Sequence, residues 1–163
     1  YGVLRIAYVD IDVHHGDGVF YEFERDPELI VADIHEDGSY LYPGTGFAYE
    51  TGQGDALGTK LNLPLARGAG DADFFRAWDE AERFLERQAP EFVILQCGAD
   101  GLAGDPLADL RLTPAAHAHA VRRLIGLAKR HAQGRLMAFG GGGYSLENLS
   151  MAWCAVLETL ASG

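Results

Sequence analysis

Cysteine is almost missing from this chain: Cys97 and Cys154 are the only two in 163 residues. Two cysteines cannot frame a disulfide scaffold, and such sparing use suits a reducing, cytoplasmic compartment. Basic residues are also scarce, 13 Lys and Arg against 24 Asp and Glu, for a formal net charge of −11. That balance argues against a nucleic-acid surface and would suit a cationic substrate such as a lysine-rich tail or a polyamine. No apolar run reaches transmembrane length and no basic, apolar leader is present, so no membrane association is expected. Internal repeats, low-complexity tracts and linkers are lacking, as is an initiator methionine. The chain starts at Tyr1-Gly-Val-Leu, already entering a strand, and is expected to be an N-terminally incomplete piece of a longer protein. The 48% of hydrophobic residues supports one sizeable core, so a single α/β domain over 1–163 is expected.

Strand and helix signals alternate along that domain. Leu4 to Val9, Leu29 to His35, Thr59 to Leu65, Phe92 to Cys97 and Leu136 to Phe139 read as strands. Pro64 makes the third of these an edge or an exit, because it has no N–H for the ladder. Helices are predicted over Gly18 to Glu24, Asp71 to Gln88, Pro114 to about His131 and Leu146 to Ala161. Phe74, Phe75, Trp78, Ala81 and Leu85 give the second an apolar stripe. Thr113-Pro114 and Ser145 are start signals for the last two. Alternation of this kind predicts a mostly parallel sheet with helices on both faces. Glu36 to Gly58, rich in Gly and Tyr, has no period and is predicted as an ordered surface loop.

The residues with chemistry in them cluster at three strand ends. The first is Asp10-Ile-Asp12-Val-His14-His15-Gly-Asp17-Gly, where an extended chain would turn Asp10, Asp12 and His14 to one side. The second is Cys97 to Asp100 and the third is Phe139 to Tyr144. If the sheet is parallel, all three open on one edge, and Asp100 becomes a third metal ligand beside Asp12 and His14. Two carboxylates and an imidazole leave a coordination position for water and substrate, as catalytic zinc sites do. The glycine run 140–143 lets backbone pass close to another group and delivers the Tyr144 hydroxyl, a good donor to a developing oxyanion. No Lys-Ser/Thr follows those glycines and the G-x-G-x-x-G context is missing, so a phosphate-cradling reading is weak. No Ser-His-Asp or Cys-His arrangement is apparent, and Cys97 reads as a buried strand residue. His117, His119 and His131 read as surface or helix-end residues, and His35 as structural.

Taken together, YVDIDVHHGDG (Tyr8 to Gly18), YPGTG (Tyr42 to Gly46), QCGADGLAGDPL (Gln96 to Leu107), LTP (Leu112 to Pro114) and FGGGGY (Phe139 to Tyr144) resemble the histone deacetylase family. The resemblance is strongest to its bacterial deacetylase and acetoin-utilisation branch, and the motifs run in the family's order over nearly the whole chain. It implies the arginase/deacetylase fold and zinc-dependent hydrolysis of an N-acetyl-lysine or another acetylated amine, with iron(II) the alternative metal. By resemblance, Asp12, His14 and Asp100 are the metal ligands and Tyr144 is the transition-state tyrosine. Asp10 and Asp17 match the acids that orient the family's paired catalytic histidines. Tyr42 stands where an aromatic wall of the acyl-lysine tunnel is normally Phe. Leu107, Gly142 and Gly143 fall among the substrate-binding positions. A structural potassium site is implied at Asp10, Asp12, His14, Asp33 and Ile34, with Asp33 in place of the usual Ser. A second cation position is implied near the backbone of Phe23, Asp26 and Leu29.

One departure concerns the proton. The family's His-His pair lies upstream of the region matching Tyr1, so this chain lacks its general base. The parent protein is then expected to be a deacetylase and this piece a catalytically incomplete one. Acetylpolyamine-type amide hydrolysis, and a non-catalytic metal- or acyl-lysine-binding module, are the competing readings. A binuclear arginase-like site would need more acid and histidine ligands than Gly98-Ala99-Asp100 offers. Assembly with further copies of the chain is left open.

Overall fold

β1 (Ile6–Asp10) lies at the centre of the sheet because its neighbours on both sides leave it no edge to water. The computed structural model describes residues 2–163. After β1 come α1 (Asp17–Glu22), β2 (Leu29–Glu36), a 3-10 turn (Gly54–Ala56), β3 (Lys60–Leu65), α2 (Asp71–Gln88), β4 (Phe92–Gln96), α3 (Pro114–His131), β5 (Leu136–Phe139) and α4 (Leu146–Ser162). The five strands run parallel in the order β3-β2-β1-β4-β5. Pro64 falls on β3, an edge strand, where a missing N–H costs no internal ladder bond.

Register divides the strand residues between two unlike faces. Ala7, Val9, Ile30, Ala32, Ile34, Val93 and Leu95 are buried and join the α2 and α3 stripes in one core. Each large side chain in that core contributes roughly 1.5–3 kcal/mol of burial, so Phe74, Trp78 and Leu85 alone anchor α2 firmly. On the other face, Val19 of α1 and Phe23 just past it line a cavity together with Ile6, Tyr8, Leu29 and Ile94. Helices therefore lie on both faces, but the α1 side is thinner, and Met137 and Phe139 of β5 remain 48% exposed there. α4 packs beside α3, placing Ala152 and Val156 inside. Among the described residues, no helix is long and apolar enough to cross a membrane.

The chain moves to one side of β1 through β2 and β3 and to the other through β4 and β5. The reversal falls between β1 and β4, and beyond the carboxyl ends of strands at such a point open parallel sheets take their ligands. The residues after those two strands are Ile11 to His14 and Cys97 to Asp100.

Candidate metal centre

β1 stops at Asp10 because the following residues hydrogen-bond to their own side chains. The Asp12 N–H donates to Asp10 Oδ1 and the His14 N–H to Asp12 Oδ1, both at 3.0 Å. These are aspartate-capped turns, which compete with an extended ladder. They correct the expectation that Asp10, Asp12 and His14 share one row. Asp10 instead lies level with Asp33 of β2, while Asp12 and His14 swing toward the end of β4.

There the structure brings Asp12, His14 and Asp100 together. One ligand atom from each falls within 4.8 Å of the other two, and both carboxylates are buried. His14 Nδ1 is 3.0 Å from Asp12 Oδ1 and 3.1 Å from Asp100 Oδ2. Asp100, and then Asp12, raise the imidazole to about 10, so without a metal the ring carries a proton between them. Burial works to raise the Asp12 carboxyl, but bonds from His14, Gln96 and Gly142 outweigh it and hold it below the usual range. Burial and the Asp12 charge push Asp100 up despite its bond to His14. Two buried acids around one imidazole form a concentrated negative site with an oxygen–nitrogen donor set. That chemistry fits a divalent metal of the zinc or iron(II) kind.

The walls of the site are made by backbone and by residues whose roles the sequence did not disclose. The Gly142 N–H donates to Asp12 Oδ2 at 2.7 Å. A Cβ on Gly142 would sit 1.8 Å from Asp100 Oδ2, so only glycine lets this loop reach the carboxylates. Gln96, at the end of β4, donates Nε2–H to Asp12 Oδ2 at 2.9 Å and accepts from the Gly98 N–H at 2.7 Å. It fixes the carboxylate and the turn at once. Asp105 accepts the Tyr144 N–H through Oδ2 and the Leu107 N–H through Oδ1, both at 2.9 Å. One carboxylate thus ties Tyr144 to Leu107. Gln96 and Asp105 lie inside the QCGADGLAGDPL motif, which was the available signal.

His117 is a correction. Expected at the surface, it is 1% exposed, and its Nε2–H donates to the Gly98 carbonyl at 2.8 Å. Its position in α3 explains this: His117, Ala120, Val121 and Leu124 form one helical stripe, all buried. His119 is half-buried with its ring 4.7 Å from that of Phe75, and His131 near the helix end faces Glu86 at 2.7 Å.

The remaining candidates are placed as follows. Tyr144 is 55% exposed, two residues past the glycine that meets Asp100. Tyr42 and Leu107 are exposed at the surface, and Asp17 opens α1. Gly143 has φ +139 and closes on Ala99. His15 Nδ1 meets Thr45 Oγ1 at 2.9 Å, and His35 lies between Asp33 Oδ1 at 2.6 Å and the Gly46 carbonyl at 2.9 Å. Asp10 and Asp33 are each 1% exposed, and burial followed by the Asp33 charge pushes the Asp10 carboxyl well above its ordinary range. Paired buried acids of this kind fit a cation. Burial raises the Cys97 thiol to about 12, which removes it as a nucleophile.

The fold and this site define a parallel α/β protein with a carboxylate–imidazole cluster that could hold a metal ion at the switch point of its sheet. The chain belongs to the histone deacetylase domain family, whose model matches residues 1–160. It is 38% identical over 147 residues to a probable deacetylase of Archaeoglobus fulgidus, covering 90% of this chain and 40% of that protein. It is 36% identical over 157 residues to the acetoin utilization protein AcuC of Bacillus subtilis, covering 93% and 40%. The acetylpolyamine aminohydrolase of Burkholderia pseudomallei superposes with a TM-score of 0.87 at 32% identity, over 98% of this chain and 46% of that one. The chain therefore spans two-fifths or less of the length of these curated relatives.

Proposed function

We propose that the protein containing this chain hydrolyses an acetylated amine, with the side chain of N-acetyl-lysine as substrate and free amine and acetate as products. The observation that carries this reading is the convergence of Asp12, His14 and Asp100 beside the glycine loop that ends in Tyr144. These three residues would hold zinc, or iron(II) as the alternative. When bound, such a metal supplies a Lewis acid for an acyl carbonyl and lowers the pKa of water.

The chain's own residues do the rest. Tyr144 donates its hydroxyl to the acyl oxygen as negative charge develops there, while Asp105 holds its backbone. Gln96 and Gly142 keep the Asp12 carboxylate aimed and free of competing protons. Tyr42 and Leu107 flank the neutral four-carbon stem, and Gly142 and Gly143 let it approach without a side chain in the way. His15 Nδ1 meets Thr45 and His35 is held by Asp33 and Gly46. By the resemblance, the base that takes the proton of water is a histidine upstream of the region matching Tyr1. Asp10 and Asp17 orient that histidine. The Asp10, Asp12 and His14 backbone, with Asp33 and Ile34, would hold a potassium ion, which would supply positive charge beside the buried Asp10 and Asp33 carboxyls.

An acetylated polyamine is the second reading, favoured by the likeness to the acetylpolyamine aminohydrolase and by the −11 charge. Acetate release separates the readings when measured on the full-length protein with an acetyl-lysine peptide and with an acetylated polyamine. Faster release from the peptide, abolished by chelation and restored by zinc, is the expected result. No acetate from either substrate at full metal occupancy would overturn the proposed activity.

A further inference from the structure

Lys60 is one of only two lysines in the chain, the other being Lys129, and it is 1% exposed. A buried ammonium needs a partner for every proton it carries. Lys60 finds three: the Asp26 carbonyl at 2.9 Å, the Leu29 carbonyl, and Thr59 Oγ1 at 2.9 Å. Three donors meet three oxygens, and none of the three belongs to a carboxylate. The arrangement is that of a small cation in a cage of neutral oxygens rather than of an ion pair.

Each wall of the cage is fixed by its own structure. The Asp26 N–H donates to the Phe23 carbonyl at 3.1 Å, and Asp26 Oδ1 accepts the Glu28 N–H at 2.8 Å, so the turn from α1 into β2 is already formed. Thr59 accepts the Val31 N–H through its carbonyl at 3.0 Å and leads into β3. A Cβ on Gly52 would lie 3.2 Å from Lys60 Cγ, which places that loop over the lysine stem. The ammonium thus joins the α1–β2 turn, β2 and edge strand β3, at the position where the resemblance implies a second free cation. The residues do not fit a free ion there, because Lys60 Nζ already holds the Asp26 and Leu29 carbonyls.

We propose that Lys60 is a tethered cation that replaces a free monovalent ion at this site, making the α1–β2–β3 corner independent of potassium. Removing the side chain down to Cβ would open the cage to a monovalent cation of ammonium or potassium size. This inference concerns stability and stands apart from the proposed chemistry, so failure of either leaves the other testable.

The experiment compares thermal unfolding of the full-length wild-type protein with Lys60→Ala and Lys60→Met. Potassium or ammonium is raised from about 1 to about 200 mM, with tetramethylammonium holding ionic strength constant. Lys60→Ala is expected to unfold about 5 °C or more below wild type at low potassium. Raising either cation should close at least half of that gap. Lys60→Met, whose stem fills the cage without charge, should be destabilised and should not recover. Any potassium effect at the Asp10–Asp33 position is common to all three proteins and cancels in the gap. A Lys60→Ala protein as stable as wild type, or a gap unchanged by both cations, overturns the proposal. Should Lys60→Ala not fold, acetylation of native wild type by acetic anhydride, followed by mass spectrometry, decides it. Lys60 should resist modification while exposed Lys129 reacts, and equal rates at the two overturn the proposal.

Discussion

Asp100→Asn is expected to strip the full-length protein of its divalent metal while leaving it folded. Asp100 accepts the Val13 N–H through Oδ1 at 3.0 Å, and an asparagine carbonyl keeps that bond. The other oxygen, beside His14 Nδ1, becomes an NH2 group that donates and cannot ligate. Charge is lost with it, and two buried acids around one imidazole become one. Removing only the partner of a metal ligand typically costs about 10–100-fold in affinity, so loss of a ligand should exceed about 100-fold. The metal-free variant should unfold somewhat below metal-free wild type, because the amide NH2 faces the His14 Nδ1–H that Asp100 Oδ2 holds in the wild type, and relief of the Asp12–Asp100 repulsion offsets only part of that loss. Metal content after dialysis and a calorimetric zinc titration measure the first effect, and thermal unfolding with chelator present measures the second. Near-normal zinc affinity in a folded Asp100→Asn protein would remove Asp100 from the site.

Tyr144→Phe should have the opposite profile, with metal content unchanged and turnover nearly lost. The substitution removes one hydroxyl and keeps the backbone N–H that Asp105 holds. Tyr144 is 55% exposed, so little packing depends on that oxygen and the stability change should be small. On the proposed mechanism, what disappears is a donor to the developing oxyanion, a loss worth on the order of 10²–10³ in turnover. Single-turnover acetate release at saturating substrate, with metal measured on the same sample, reads both quantities. Parallel loss of metal and activity would make Tyr144 a support for the loop rather than a catalytic residue.

Much of this architecture could be read along the chain because the signals are local. α2 and α3 have the predicted ends, since their apolar stripes, the Thr113 cap with Pro114, and the breakers just past each exit, Pro90 and Gly134, are all local signals. The sheet edge that gathers the site follows from strand alternation and the single reversal at β1. Less was legible wherever a side chain is satisfied by something far off in sequence. His117 was discounted by its residue type although its helical position is buried, and its partner is a carbonyl 19 residues away. Lys60 reads as an ordinary strand-start lysine until the Asp26 and Leu29 carbonyls are brought against it from more than 30 residues upstream. Asp10 and Asp12 part company because turn bonds, which a two-residue alternation cannot anticipate, end the strand between them. Gln96 and Asp105 stood in a motif that could be recognised, but their tasks, aiming Asp12 and tethering Tyr144 to Leu107, exist only in three dimensions.

The central claim is that Asp12, His14 and Asp100 hold one divalent metal at the end of the sheet. Its most direct test is a crystal structure of the full-length protein grown with zinc, with diffraction collected on both sides of the zinc absorption edge. The expected result is one strong anomalous peak about 2.0–2.2 Å from an oxygen of each aspartate and a nitrogen of His14, with an open position facing Tyr144. A fully occupied zinc elsewhere, with these three side chains still bonded only to one another, would contradict it.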